Sequence, residues 1–233
     1  MTFFRFCLLL IFVLLSSCVS SKDNSTFRSI SDSFKAMNND KSINFEALVE
    51  AKAIAVEFYT LFKAQGLTPK GLDRIAAKIN PDNIGALKKA FKEINVRLSG
   101  ENVGNTNKIP VVNIPKSYGQ PSFSELKNEL KHLMSDYNFN NKITVPANFE
   151  FNGTSIPEIA QEWLGNPFDK QLEVPGLVHD YLYSTKSKKL HYSKDTADLA
   201  FYQLLKRNKV PESKAMVMYM GVVIGGHFFY MKD

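Results

Sequence analysis

The stretch GLVHDYLYS, residues 176–184, sets a histidine and an aspartate side by side among apolar residues. On a helix, His179 shares one face with Leu182 and Tyr183, so we expect the histidine to point into an apolar core. Asp180 is turned about 100° away from His179 and is therefore free to do a different job. The stretch predicts a buried helix with two polar side chains that point in different directions.

A second stretch, YSKDTADLAFYQLL at residues 192–205, supplies a partner for the histidine. Ser193 is a good N-cap, and Asp198 lies on a helical face made of core residue types. A buried carboxylate is costly unless it is paired, and His179 is the obvious partner across a short connection. We therefore expect two antiparallel neighbouring helices joined by an Asp198–His179 hydrogen bond. That bond would fix the tautomer of the imidazole and raise its basicity.

The beginning of the chain has the pattern of a bacterial lipoprotein signal peptide. Residues 1–17 carry one charge, Arg5, before an apolar run that is too short to span a membrane as a mature helix. The run ends in LSSC, which resembles a lipobox with Cys18 as the lipidated residue. Cys7 would be lost with the signal peptide, so we expect no disulfide in the mature chain. Val19 stands where aspartate retains lipoproteins at the inner membrane, which favours the outer membrane.

The charge of the chain narrows its expected partners. The net charge is +6 and is dispersed along the sequence, which fits a protein beside anionic lipid or cell wall. No run of Lys and Arg is interleaved with aromatic residues, so nucleic acid is not an expected partner. We expect a location in the bacterial cell envelope, with contact to the membrane through the lipid on Cys18 and to phospholipid or cell wall.

Composition and periodicity divide the rest of the chain into four regions. A polar stretch, residues 18–43, predicts a flexible tether. Helical periodicity and proline-containing start signals predict a helical bundle over residues 44–98. A stretch rich in Gly, Asn and Pro, residues 99–121, predicts a linker before the C-terminal domain, residues 122–233. The expected fold is mainly α with a short β element (α+β), an N-terminal helical bundle plus a C-terminal helical domain built on the His-Asp/Asp helix pair.

Three local predictions concern the C-terminal domain. Residues 122–134 are expected to form a helix whose apolar stripe includes Leu126 and Met134. Pro175 is expected to lie in the first turn of the helix that carries the histidine. Residues 216–231 are apolar on nearly every face and predict a core helix, because they fall short of the roughly 20 residues that a membrane span needs.

Residues 144–225 carry five short motifs in a fixed order, namely VPANF, FNGTSIP, HDYLY, SKDTADLAF and KAMVMY. In order and spacing they resemble the bacterial and phage family known as domain of unknown function thirteen fifty-three. The resemblance implies a shared fold unit, since no biochemical role is established for the family. The sequence departs from the family pattern at Asn152, where the family has Asp, and at Asn148, where it has Gly. The first change lowers the charge of a candidate ligand or catalytic acid.

A weaker, mechanistic resemblance is to the secreted phospholipases A2. In that family a His-Asp pair is followed by Tyr three residues after the Asp, and a second helix supplies another Asp to the His. The residues in these positions here are His179, Asp180, Tyr183 and Asp198. The resemblance implies that His179 activates water and that Asp180 binds Ca²⁺ with oxygen ligands from the turn at Asn152 and Gly153. The sequence lacks the Gly-x-Gly calcium loop and the paired cysteines of the phospholipases.

Two classes of function stay open. One is a hydrolase of phospholipid or another envelope ester, in which His179 activates water and Asp198 orients the histidine, with Tyr183 nearby. The other is a non-catalytic envelope or phage-related binding protein, in which the same pair only holds the helices together. A serine triad with Ser155 is a further candidate, but no Gly-x-Ser-x-Gly elbow surrounds it. The residues TSIP are more typical of an N-cap before Pro157.

Overall fold

The computed structural model describes residues 24–38, 40, 42–100, 110–154, 158–226 and 230–231 of the 233-residue chain. The helices in these ranges are α1 (Asn24–Met37), α2 (Phe45–Lys63), α3 (Pro69–Ala76), α4 (Pro81–Leu98), α5 (Glu158–Leu164), α6 (Lys170–Tyr183), the 3₁₀ helix η1 (Thr185–Leu190), α7 (Lys194–Arg207) and α8 (Glu212–Gly225). The strands are β1 (Lys131–His132), β2 (Tyr137–Asn138), β3 (Thr144–Val145) and β4 (Glu150–Phe151). Strand β1 pairs antiparallel with β4, and β2 pairs antiparallel with β3. The predicted class, mainly α with a short β element, is confirmed.

The helix starts that the capping residues Thr68, Asn80 and Ser193 indicate are confirmed. The Thr68 side chain accepts a hydrogen bond from the backbone N–H of Gly71 at 3.2 Å, and Ser193 caps α7 in the same way. Asn80 and Asn83 cap each other's backbone at the start of α4. Such caps satisfy donors that the first turn of a helix leaves unpaired. These caps explain why α3, α4 and α7 begin where they do.

The predicted flexible tether is wrong for residues 24–37, which form α1. Ile30, Phe34 and Met37 are buried and recur every three or four residues, so one face of the helix is apolar. This face packs against α2 and α4. Ser25 is exposed and Ser29 and Ser31 are partly exposed, whereas Ser33 is buried beside the apolar residues, so the serine-rich composition does not prevent packing. The predicted signal peptide and Cys18 lie outside the described residues.

One hydrophobic core joins the N-terminal helices to the C-terminal ones. It runs through α1–α4 and continues into α5, α7 and α8. Helix α8 is buried on most faces, with Met216, Tyr219 and Met220 fully inaccessible, and it contacts α2, α3, α4 and α7. The core helix predicted over residues 216–231 is confirmed as far as Gly225, while the predicted bundle and C-terminal domain share a core instead of packing separately. Within the ranges described above, no helix is long and apolar enough to cross a membrane.

A second, smaller core lies between the β ribbons and the helices α6 and α7. Residues 110–121 of the predicted linker contain no helix or strand and lie against this core. Val112 is buried there, and the Pro110 carbonyl accepts a hydrogen bond from Thr196 Oγ1 at 2.8 Å. This part of the linker is therefore tied to α7.

The helix predicted over residues 122–134 is wrong, because this stretch folds as a β ribbon. Lys127 and Leu130 pair across a turn formed by Asn128 and Glu129, whose φ angles of 52° and 60° are left-handed. Two consecutive residues of this kind make a tight hairpin turn that no helix can contain. Met134, placed in the predicted apolar stripe, is 66% exposed.

Pro175 does not begin its helix, because α6 starts at Lys170 and contains Pro175 in its interior. A proline has no N–H to donate to the carbonyl four residues earlier, so the Gln171 carbonyl loses its helical partner. Asn208 Nδ2 donates to that carbonyl at 2.8 Å and replaces the missing bond. The proline thus links the first turns of α6 to the end of α7.

Candidate active site

The predicted hydrogen bond between His179 and Asp198 is present. His179 Nε2 lies 2.9 Å from Asp198 Oδ1, and both side chains are buried between α6 and α7. Burial alone would raise the pKa of Asp198, but the charge of Lys194 and the hydrogen bond from His179 lower it to about 2. Because Asp198 is ionised at neutral pH, Nε2 carries a proton and donates a hydrogen bond to the carboxylate. The other ring nitrogen, Nδ1, is then the proton acceptor of the neutral imidazole.

Asp198 accepts hydrogen bonds from three donors besides His179. Tyr183 Oη donates to Oδ1 at 2.6 Å, while Lys194 Nζ and Asn95 Nδ2 donate to Oδ2 at 2.7 and 2.6 Å. Both carboxylate oxygens are thus satisfied by two donors each. The carboxylate is held in one orientation, and through it the imidazole ring is held as well.

Lys194 and Asn95 belong to this centre although the sequence analysis did not single them out. Lys194 is fully buried, and its ammonium group also donates to Asn95 Oδ1 at 2.8 Å and to the carbonyls of Val222 and Val223 at 3.0 and 3.2 Å. Helices α4, α7 and α8 therefore meet at one ammonium group. The signal in the sequence was the i, i+4 spacing of Lys194 and Asp198, which places opposite charges side by side on one helical face.

The other side of the imidazole faces a cavity. His179 Nδ1 lies 3.7 Å from Asp180 Oδ1, and both residues line a cavity of about 710 Å³. Burial opposes protonation of His179, but Asp180 and Asp198 outweigh it and raise the pKa of His179 above its ordinary value. Burial also raises the pKa of Asp180, whose side chain keeps 21% of its surface exposed. The proton-accepting nitrogen is thus placed beside a cavity and a carboxylate.

The cavity is polar at one end and apolar elsewhere. His179, Asp180 and Tyr183 line the polar end, together with Glu150 and Asn152. Because Glu150 and Asn152 are exposed, the cavity reaches the protein surface beside β4. The remaining walls are mostly apolar and come from α2, α3, α5, α7 and α8. The arrangement suits a ligand with a polar head and a long apolar part.

The predicted calcium ligands are only partly brought together. Asp180 and Asn152 line the same cavity, but Gly153 is buried against Pro167 and does not line it. A Cβ at Gly153 would lie 2.7 Å from Pro167 Cβ, and its φ of 84° is left-handed, so glycine is required by the turn itself. The described residues hold no group of three or more His, Cys, Asp or Glu side chains that could bind a metal. Calcium takes six to eight oxygens, which Asp180 and Asn152 alone do not supply.

The turn that precedes α5 is described only as far as Thr154, so the predicted Ser155 lies outside the described residues. Thr154 Oγ1 donates to the Leu172 carbonyl at 3.1 Å. A Cβ at Gly176 would lie 2.5 Å from the same Oγ1, which makes glycine necessary for the close approach of the turn to α6. This contact holds Asn152 near the helix that carries His179.

Comparison with known proteins finds a family model that is similar to part of the chain. Residues 128–222 match the family described as "Protein of unknown function (DUF1353)". The match confirms the resemblance predicted for residues 144–225 and extends it towards the N-terminus. It contains the His-Asp pair, Lys194 and Asp198, whereas Asn95 lies outside it.

A relative of known sequence carries no functional description either. "Uncharacterized protein y4jT" of Sinorhizobium fredii (strain NBRC 101917 / NGR234) is 35% identical over 101 residues. These residues cover 42% of this chain and 29% of the relative, so the chain spans less than a third of that protein's length. No solved structure matches the chain significantly.

Proposed function

We propose that this protein is a hydrolase of an acyl ester, with His179 as the general base that activates water. The observation that carries the proposal is the position of the imidazole between a buried carboxylate and a cavity. Nε2 donates to Asp198 at 2.9 Å, so the free lone pair of Nδ1 is on the side of Asp180. An oriented base at the polar end of an apolar cavity is suited to an ester with a long apolar part.

In the proposed reaction, Nδ1 of His179 takes a proton from water while the water oxygen attacks the ester carbonyl. The tetrahedral intermediate collapses by breaking the bond to the alkoxide, and the imidazolium returns the proton to that leaving group. Asp198 stays ionised throughout and stabilises the imidazolium. Tyr183, which the sequence resemblance placed at the site, donates to Asp198 and so acts here as a positioning residue. No step requires calcium, which stays a prediction to be tested by titration calorimetry of wild type and Asp180→Asn.

Replacing His179 with alanine tests the proposal. We expect the full chain to hydrolyse p-nitrophenyl esters of long-chain fatty acids, and His179→Ala to lose at least about a hundredfold in kcat/KM, the usual contribution of a general base. His132→Ala is the matched control, because His132 is exposed on β1 and should keep full activity. Circular dichroism checks that both variants fold. Hydrolysis by folded His179→Ala at the wild-type rate would refute the proposal.

A non-catalytic role is the second candidate, and the buried lysine favours it. Lys194 neutralises Asp198, and the pair joins α4, α7 and α8 through the contacts described above. A centre of this kind is able to fix the packing of helices in a binding protein without any chemistry. In that case the wild type would show no esterase activity, and His179→Ala would only lower the free energy of unfolding, by about 1–3 kcal/mol.

We further propose that the protein works in the bacterial cell envelope, anchored by lipid on Cys18. The LSSC sequence after an apolar run supports this proposal, as does the absence of aspartate at residue 19 for an outer-membrane location. Metabolic labelling with alkyne palmitate should mark the wild type and not Cys18→Ser. Equal labelling of the two proteins would contradict the anchor.

A further inference from the structure

The cavity beside His179 has a form that narrows the class of ligand. We infer that it binds a single long acyl chain, with the ester or carboxyl end of the chain beside His179 and Asp180. An acyl chain is also the substrate class of the proposed hydrolase. Only the cleavage of the ester bond rests on the proposed function. Binding of the chain itself follows from the cavity.

The volume of the cavity matches one chain. It measures about 710 Å³. Protein pockets that hold drug-sized ligands have volumes of about 300–1,000 Å³, a range that suits a fatty acid of about eighteen carbons, which has roughly twenty non-hydrogen atoms. A phospholipid with two such chains is more than twice as large. The second chain and most of the headgroup would therefore remain outside.

The walls of the cavity are suited to a chain without hydrogen-bonding groups. Phe58 and Phe62 of α2 and Leu72 of α3 line it from the N-terminal helices, and Val217 and Gly221 line it from α8. A polar ligand would lose its hydrogen bonds to water along these walls, whereas an aliphatic chain gains from leaving water. The polar side chains lie at the His179 end, where the head of the ligand belongs.

Part of the wall lies outside the stretch that matches the family. Helices α2 and α3 precede residues 128–222, yet they supply three of the apolar side chains named above. The length and shape of the chain that fits are therefore set partly by the N-terminal helices of this protein. The residues His179 and Asp180 come from the family-matching stretch.

Gly221 offers a direct way to block the cavity. It lines the cavity from α8, and a Cβ built on it meets no atom within 4 Å, so a larger side chain has room to enter. Gly85 in α4 is the matched control, because it is also inside a helix, a Cβ at this position likewise meets no atom within 4 Å, and the residue does not line the cavity. Replacing either glycine raises the helix propensity equally, but only a substitution at Gly221 fills the cavity.

The test is a titration of the full chain with cis-parinaric acid, a fluorescent long-chain fatty acid. We expect saturable binding to the wild type and to Gly85→Phe, and at least about a tenfold weaker binding to Gly221→Phe, one decade corresponding to the loss of a few buried methylenes. Gly221→Leu repeats the test with a smaller side chain if the phenylalanine variant does not fold. No binding to the wild type, or equal binding to folded Gly221→Phe and Gly85→Phe, would overturn the inference.

Two further arms separate the source of the chain and the proposed chemistry. Free palmitate and vesicles of phosphatidylglycerol are compared as competitors of the probe, because either could supply the chain; displacement by the vesicles identifies a phospholipid, and displacement by palmitate alone identifies a free fatty acid. His132→Ala, at an exposed residue that does not line the cavity, should bind the probe like the wild type. If binding is blocked at Gly221 while the wild type cleaves no ester, the acyl-chain site stands and the hydrolase proposal fails. If the wild type cleaves the ester but does not bind the probe, the hydrolase proposal stands and the acyl-chain site fails.

Discussion

His179 contacts two carboxylates in different environments, and each affects its proton differently. Asp198 has no exposed surface and is held by four donors, so it fixes the ring and stays ionised. Asp180 lies 3.7 Å from Nδ1, on the cavity side, and burial raises its own pKa. The charge of Asp180 therefore acts on the nitrogen that would take a proton from water. This difference makes the role of Asp180 measurable.

The pH dependence of hydrolysis should report the raised pKa of His179. The base must be neutral, so kcat/KM should rise with pH and level off only above an apparent pKa higher than the ordinary 6.5. Asp180→Asn removes one of the charges that raise this pKa and should move the rising limb to lower pH. Asp82→Asn, on the exposed start of α4, should leave the profile unchanged. A profile that does not move in Asp180→Asn would contradict this assignment.

The raised pKa of His179 also affects the stability of the fold, and this contribution decreases as the pH rises. A histidine whose folded pKa exceeds its unfolded value stabilises the fold when it is protonated. The stabilising contribution of His179 is therefore complete below the unfolded pKa and is lost as pH rises through the folded pKa. As the pH rises through the folded pKa of His179, kcat/KM should therefore increase while the contribution of His179 to stability decreases.

Two buried tyrosines differ in whether the hydroxyl group has a partner. Tyr183 Oη donates to Asp198 at 2.6 Å, whereas Tyr219 Oη has no hydrogen-bond partner within the described part of the chain. Tyr183→Phe should lower the free energy of unfolding by about 1.5–3 kcal/mol, as for hydrogen bonds to charged groups. Tyr219→Phe should leave it unchanged or raise it. Urea denaturation measures both free energies of unfolding. Equal losses in the two variants would contradict the difference in hydrogen bonding between the two hydroxyl groups.

Sequence reasoning reached some of these residues because it followed helical faces. Asp198 was recognised as a carboxylate on an apolar face, and the cost of burying it led to His179. Asn95 also shares its face with the core residues of α4, but a neutral amide costs less to bury than a carboxylate and is therefore a weaker signal. The spacing of Lys194 and Asp198 indicates an ion pair, but it does not indicate that the pair is buried, because lysine side chains are almost never fully buried. The burial of Lys194 depends on α4 and α8, which no local pattern reveals.

At the scale of elements, the ion pair of α7 is expected to be the most sensitive point of the packing. Lys194→Met leaves Asp198 buried without its ammonium partner, so the free energy of unfolding should fall by about 3–5 kcal/mol. Lys206 of α7 forms an exposed ion pair with Glu212 of α8. Lys206→Met should therefore lower the free energy of unfolding by less than about 1 kcal/mol. Thermal and urea unfolding provide both values.

A double substitution shows whether the loss comes from the unpaired charge. In Lys194→Met with Asp198→Asn no buried charge is left without its opposite, so the double variant should be more stable than the sum of the two single losses predicts. Additive losses would mean that Lys194 and Asp198 act independently.

The elements that sequence analysis missed share one cause, which is a choice between two competing patterns. Over residues 122–134 leucines at helical spacing favoured a helix, but the turn at Asn128 and Glu129 and the pairing with β4 decided for a ribbon. Over residues 24–37 the polar composition favoured a tether, although an apolar residue recurs on one face of α1. In both stretches the tertiary partner, β4 in one case and α4 in the other, determined the outcome.

For the whole molecule, the shared core predicts one cooperative unfolding transition. Helix α8 packs between the N-terminal helices and α7, and Asn95 of α4 hydrogen-bonds to both Asp198 and Lys194 of α7. Scanning calorimetry of the full chain should therefore show a single peak, which Asn95→Ala shifts as one to lower temperature. Ser99→Ala, at the C-cap of the same helix, is the matched control, since its hydroxyl bonds only to the Val96 carbonyl. Two separate peaks would support the independent domains that the linker at residues 99–121 predicted.

The spacing of Lys194 and Asp198 also has a consequence for the order of folding events. The two residues are four apart on α7, so their opposite charges meet as soon as that helix forms, while both are still in water. Desolvation then acts on a pair that is already neutral overall, and docking of α4 and α8 does not have to carry an isolated ion into the interior. If the counter-ion of the aspartate came from a distant segment, the isolated carboxylate would have to lose its water before it could form the ion pair. The ion pair with the high desolvation cost is therefore formed by two residues of one helix, which meet without any long-range contact.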